Sequence, residues 1–177
     1  MADFSSITAD SSQAANPPGA LVQYVALATS FTANWPTAAQ ANAGLVTTAP
    51  PLSGVIKFAK IIPPVESIDA NFNTQGRRGY QGIMHECAWE VAGYTTAILA
   101  ENQKYLNAGV VCLQQLSDEK WIVLGSVQNP LQVEITGKTG KGGNDERGFT
   151  YKASRSNFPW FPPILDNAIV AALTFAA

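Results

Sequence analysis

The chain has 177 residues, 46% of them hydrophobic but only 14% charged, with a formal net charge of −2. Typical soluble domains carry about 25% charged residues, and the shortage here is concentrated at one end. From Met1 to Ile56 the charged residues are Asp3 and Asp10, and every Lys and Arg lies from Lys57 onward. A length of this order predicts one ordinary domain with a sizeable core. The near-neutral balance and scattered basic residues argue against a dedicated nucleic-acid binder. No apolar run approaches the ~18 residues of a membrane-spanning helix. The opening MADFSSITADSSQ lacks the basic and apolar regions of a secretory signal.

Residues 1–19 are small and polar and end in Asn16-Pro17-Pro18-Gly19, which predicts an extended segment unless a partner holds it. Ala20–Thr29 is apolar and reads as a buried strand. Ala33–Pro51 reads as a long loop with a turn of helix near Thr37–Ala43. Val55–Ile62 is β-rich and stops at Pro63-Pro64, and Asn71–Gly79 reads as a turn-rich loop. Ile83, Cys87, Trp89 and Val91 alternate with Met84, Glu86, Ala88 and Glu90, the period of a half-buried strand, with His85 on the apolar side. A helix is expected from Thr95 or Thr96 to about Asn107, with Gly109 as its left-handed stop. Period two then returns. Val110–Leu116 and Lys120–Gly125 flank a hairpin turn at Ser117-Asp118-Glu119. Leu131, Val133 and Ile135 form the next alternation, and Phe149, Tyr151 and Ala153 another, separated by the glycine-rich loop Gly137–Gly148. Asn157–Pro163 is aromatic and proline-rich, and Ile169, Leu173 and Phe175 predict a last strand. The expected fold is mainly β, an antiparallel sandwich or barrel with one packed helix (about 95–107). Residues 1–53 are expected to form a charge-poor assembly arm and residues 54–177 the β-domain.

Few residues suggest chemistry. Gly137-Lys138-Thr139 lacks the first glycine and the following helix of a phosphate-binding loop, so it reads as an exposed hairpin tip. His85 is suited to proton transfer. Its nearest nucleophile on the same strand face, Cys87, is two residues on, about 6.5–7 Å away and beyond direct hydrogen-bond reach. A satisfied interior histidine is the preferred reading. Asp118/Glu119 and Asp145/Glu146 sit in turns, where charge is expected anyway. Cys87 and Cys112 could form one disulfide, but without an export signal buried thiols are favoured. One His and two Cys cannot make a zinc site of three or four such ligands. Neither enzymatic activity nor a cofactor or metal is expected. The candidate interface residues are Tyr24, Trp35, Arg77, Arg78, Phe158, Trp160 and Phe161, since aromatics and arginines are enriched at interface centres.

From Tyr80 onward the order of features resembles bacteriophage tail tube proteins. The resemblance rests on the strand Gly82–Val91, the helix Thr95–Asn107 and a strand pair whose second arm is Trp121-Ile122-Val123-Leu124-Gly125-Ser126. Pro130-Leu131, a strand ending in Thr136-Gly137, a glycine-rich acidic loop and Arg147-Gly148-Phe149-Thr150-Tyr151 complete it. It spans residues 80–155 as a pattern of elements without a diagnostic motif. It implies a virion structural protein, assembled in the host cytoplasm, whose copies form hexameric rings. The rings stack into a tube with other tail proteins, and DNA passes through the lumen without a membrane anchor. Val55–Ile62 paired with Tyr80–Val91 is the candidate lumen hairpin. Another virion ring, connector or decoration protein remains an alternative. So does a monomeric binding sandwich displaying Trp160 to a sugar.

Overall fold

A computed structural model describes residues 19–54, 58–61, 64, 67–141 and 147–173. The fold is mainly β, built on one ten-stranded hydrogen-bonded sheet. In chain order the elements are β1 (Ala20–Leu27), a 3-10 turn (Ala28–Ser30), α1 (Ala38–Ala43), β2 (Leu45–Val46), β3 (Ala59–Ile61) and β4 (Asp69–Gln75). They continue with β5 (Gly82–Ala92), α2 (Thr96–Tyr105), β6 (Gly109–Leu116), β7 (Trp121–Leu124), β8 (Leu131–Lys138), β9 (Gly148–Phe158), β10 (Ile164–Leu165) and α3 (Asn167–Ala172).

The sheet folds on itself at β6. One edge of β6 pairs with β1 along its length. The other edge is shared: Gly109 and Val110 pair with β8, and Cys112–Gln115 pair with β7. The strands therefore run β2-β10-β7-β6-β8-β9-β5-β4, with β1 and β3 attached beyond the first edge of β6. The turn of the sheet brings Val25, Cys112, Ile122 and Leu124 against Cys87, Trp89, Tyr151 and Ala153 in one core cluster.

The opposite face of β1, β6 and β7 is covered as well. Tyr24, Ala26, Val111, Leu113, Trp121 and Val123 form a second core with Trp35, Val46, Phe58 and Leu165. Residues from Val110 to Gln114 are therefore all buried, which explains why VVCL reads as an unbroken apolar run without alternation. β5 and β9 have one core face, and their buried positions alternate as period two predicts. A register shift between Ile83 and His85, with Asn157 at φ 70°, turns Phe158 inward at the end of β9.

The local signals account for the helices. The Thr37 side chain accepts from the Gln40 N–H and starts α1, and Gly44 at φ 76° ends it. The Thr95 side chain accepts from the Ile98 N–H and starts α2, whose Ile98, Leu99 and Tyr105 pack on the first core. The left-handed residue after α2 is Asn107 at φ 57°, not Gly109. Asparagine tolerates that conformation. Gly109 instead opens β6, where an added Cβ would meet Pro130 Cγ at 2.4 Å.

Several expectations are corrected. Residues 1–53 are not as a whole an arm outside the domain: Ala20–Leu27 is an interior strand, and Trp35, Ala41 and Val46 are buried in the same molecule. Asn71–Gly79 is not all loop, because Asp69–Gln75 pairs with β5 in an unbroken register. Pairing overrides the poor strand propensity of its Asn residues. That register also removes the candidate lumen hairpin: β5 takes β4 as its neighbour, and β3 pairs with β1. The ends Val55–Lys57 and Ile62 of that candidate lie outside the described residues. The last strand is replaced by α3, because the Asp166 carboxylate accepts from the Ala168 N–H and sets a helix start. Phe175 lies outside the described residues.

Removing volume from the doubly covered layer should be costly. Leu113→Ala is expected to lower the unfolding free energy by about 2–5 kcal/mol, read from urea unfolding, because Leu113 has no exposed surface. Leu106→Ala, at a 68% exposed residue, should stay within about 0.5 kcal/mol of the parent.

Candidate functional site: a polar seam and a free sheet edge

Two features stand out from the apolar interior. The first is a buried polar seam between the two layers. Gln23 and Gln114 are cross-strand partners on β1 and β6 and share one face. Gln114 Nε2 donates to Gln23 Oε1 at 2.7 Å and to the Asp69 carbonyl on β4 at 3.1 Å. Gln23 Nε2 donates to Cys87 Sγ on β5 at 3.6 Å. The chain of contacts thus ties β1 and β6 to β4 and β5 across the fold. Gln114 Oε1 is buried and has no hydrogen-bond partner.

His85 belongs to the same interior and is fully buried. The Gly125 N–H donates to its Nδ1 at 3.3 Å, which places the ring proton on Nε2, and Nε2 donates to the Trp160 carbonyl at 3.0 Å. Phe158 stacks on the ring at 4.0 Å between centroids. Burial lowers the His85 pKa to about 4, against the opposing effect of the Trp160 carbonyl. The imidazole is thus neutral near pH 7, with both nitrogens engaged. It joins β5, the turn after β7 and the segment after β9.

Cys87 and Cys112 are free thiols with no exposed surface. Burial first, and then a hydrogen bond with the Cys87 sulfur, push the Cys112 thiol well above its usual value. Such a thiol is a poor nucleophile. Asp118 is a half-buried turn carboxylate paired with Lys120 at 2.9 Å, and Lys120 holds its pKa below the usual value. Asp145 and Glu146 lie outside the described residues. Among the described residues no three His, Cys, Asp or Glu side chains converge as metal ligands.

The second feature is the β4 edge. β4 ends the sheet, and six of its seven residues are exposed. Phe72 on this strand is 48% exposed and meets Phe161, 52% exposed, edge to face at 6.1 Å. At the tip of the β4–β5 hairpin, Gly76 adopts φ 100°, where a Cβ would lie 2.2 Å from the Tyr80 carbonyl. Arg77 stacks over the exposed Tyr80 ring at 4.9 Å.

The sequence-derived interface residues divide accordingly. Arg77, Arg78 and Phe161 are exposed at or beside the β4 edge, and Trp160 is half-buried next to them. Tyr24, Trp35 and Phe158 are corrected: they are 6%, 1% and 1% exposed and fill their own chain's cores. Gln23, Gln114 and Phe72 were missed. A glutamine inside each apolar run, ALVQYVAL and GVVCLQQL, is the signal that could have marked the first two. Comparison of the chain with protein-family models, curated proteins and solved structures returned no match.

The His85 environment has a pH consequence. Its folded pKa lies below the ordinary 6.5, so the unfolded chain binds the extra proton first as pH falls. This contribution is complete above about pH 6.5 and is lost progressively toward pH 4, amounting to about 3 kcal/mol. Urea unfolding between pH 7 and 4.5 should show that fall, and His85→Gln should flatten it.

Proposed function

We propose that this chain is a self-assembling structural subunit of a virion, of the tail tube kind, whose copies join through exposed strand edges. The observation that carries the reading is β4. It is a terminal strand of seven residues, uncharged after Asp69, with an unbroken register with β5. Monomeric proteins protect such edges with Lys, Pro or a bulge. β4 has none of these, and an open edge is suited to strand addition by a neighbour.

The uncharged skin of the molecule supports the same reading. Between Thr32 and Gly54 most residues are exposed, yet none is charged. Assembly interfaces are depleted of charge at their cores. The anchors of this stretch, Trp35, Ala41 and Val46, are buried in the subunit itself. Its surface between the anchors is what a neighbour would cover. The succession β5, α2, the β6–β7 hairpin, β8 and β9 follows the order on which the family resemblance rests. Hexameric rings, their stacking and the passage of DNA are parts of the proposal that come from that resemblance.

The packing of Tyr24, Trp35 and Val46 into their own domain favours a second reading, a self-contained binding module that stays monomeric. The two readings separate by mass. Sedimentation and negative-stain microscopy of the pure protein should reveal rings or tubes that increase with concentration. Asn71→Lys with Asn73→Lys should abolish them without loss of folding, because both side chains are exposed on the edge strand. A monomer at every concentration would favour the binding module.

A further inference from the structure

The sheet has a second open edge. β8 pairs with β6 only through Leu131 and Gln132, whereas its other side pairs with β9 from Gln132 to Lys138. From Val133 to Lys138 the far edge of β8 meets no strand among the described residues. β8, β9, β5 and β4 thus form a four-stranded antiparallel run whose two ends, β8 and β4, are both open. Three reversals separate the ends, so β4 runs opposite to β8. Carrying the sheet on from β4 of one copy to β8 of the next therefore makes an antiparallel pair, with the faces of both sheets continuous.

The backbone fits that junction. Along a row of an antiparallel sheet, hydrogen-bonded and non-bonded pairs alternate. Ala70, Cys87, Ala153 and Val133 form such a row. With four strands in the row, Ala70 and Val133 either both turn their backbone groups outward or both turn them inward. Phe72 and Ile135 each lie two residues on and keep that match.

The side chains choose the register. Phe72, on the core face of β4 opposite His85, is 48% exposed, and Ile135 is half-buried on the core face of β8. Setting Phe72 opposite Ile135 covers an aromatic ring with a β-branched side chain. The same register sets Asp69 opposite Lys138. Both are exposed, and neither has an ion-pair partner among the described residues. They share the outer face: Asp69 stands opposite Ala88, and Lys138 stands opposite Gly148, itself opposite Ala92. A slip of one residue would exchange the faces, and a slip of two would part both pairs. Pairing β4 with β4 of another copy would leave Lys138 and the β8 edge unmet.

We propose that β4 of one copy adds to the free edge of β8 in the next, antiparallel, with Asp69 opposite Lys138 and Phe72 opposite Ile135. The pairing rests on the assembly reading and names the partner strand which that reading leaves open. The contact is head to tail, because each copy offers β4 to one neighbour and β8 to another.

Charge reversal tests the pairing on the full chain, with association read by sedimentation at low salt. Asp69→Lys alone and Lys138→Asp alone should each weaken association by about tenfold, because each sets like charges opposite one another. An equimolar mixture of the two variants should restore it, since both junctions between unlike chains then carry opposite charges. Cross-linking supplies a second readout. Opposite residues of an antiparallel pair lie about 4.5–5.5 Å apart, within disulfide range. Asn71→Cys chains mixed with Thr136→Cys chains and oxidised with diamide should give a dimer of one chain of each kind, while Cys87 and Cys112 have no exposed surface. Circular dichroism checks that each variant is folded. If the parent associates but the reversals leave association unchanged, or the mixture fails to restore it, the pairing is overturned and assembly through another edge stands. Asn71→Cys chains that cross-link only to one another overturn it in the same way. A parent chain that stays monomeric at every concentration overturns both readings.

Discussion

The fold depends on burying β6 on both faces. Its even-numbered side chains face β5 and β9, and its odd-numbered ones face the layer built from Trp35, Val46, Phe58 and Leu165. A strand so enclosed must have all its backbone groups paired. β6 meets the requirement by pairing with β1 on one edge and with β7 and β8 in turn on the other. That shared edge bends the sheet, and the bend creates the two cores. The long uncharged stretch after β1 has the role of covering the second core, and it reaches that core through a few anchors.

The polar groups inside follow from the same enclosure. Gln23 and Gln114 lie between the two layers beside β4, and their amides bridge backbone and thiol across the seam. His85 closes the neighbouring junction with two hydrogen bonds and a stacked ring. Such groups specify which strands meet, because a wrong register would leave them unpaired at high cost. Burial and hydrogen bonding also withdraw His85 and the thiols from chemistry: the histidine is neutral with both ring nitrogens engaged, and the thiols have no exposed surface. The groups left without such cover lie outside, at the β4 edge, Phe161 and the uncharged loop surface.

Much of this was legible in the sequence where one element faces one core. β5 and β9 show clean alternation, the Thr95 cap marks α2, and Ser117-Asp118-Glu119 marks a hairpin. What was not legible depends on contacts distant in sequence. Asp69–Gln75 has the composition of a loop and becomes a strand because β5 offers it an edge. Ile169 and Leu173 fit either period over so short a span, and the Asp166 cap decides for helix. The candidate residues separate by burial: Arg77, Arg78 and Phe161 are exposed near the free edge, whereas Tyr24, Trp35 and Phe158 look alike in sequence but are core. Aromatic identity does not tell a core face from a contact face until the layers are stacked.

The central claim is that β4 is an edge awaiting a neighbour. Backbone hydrogen exchange across residues 69–75, followed as protein concentration rises, tests it most directly. The account predicts rapid exchange at alternate β4 positions in dilute protein and slow exchange there once copies associate, with β1 and β6 protected throughout. Rapid exchange at those β4 positions in the associated protein would contradict it.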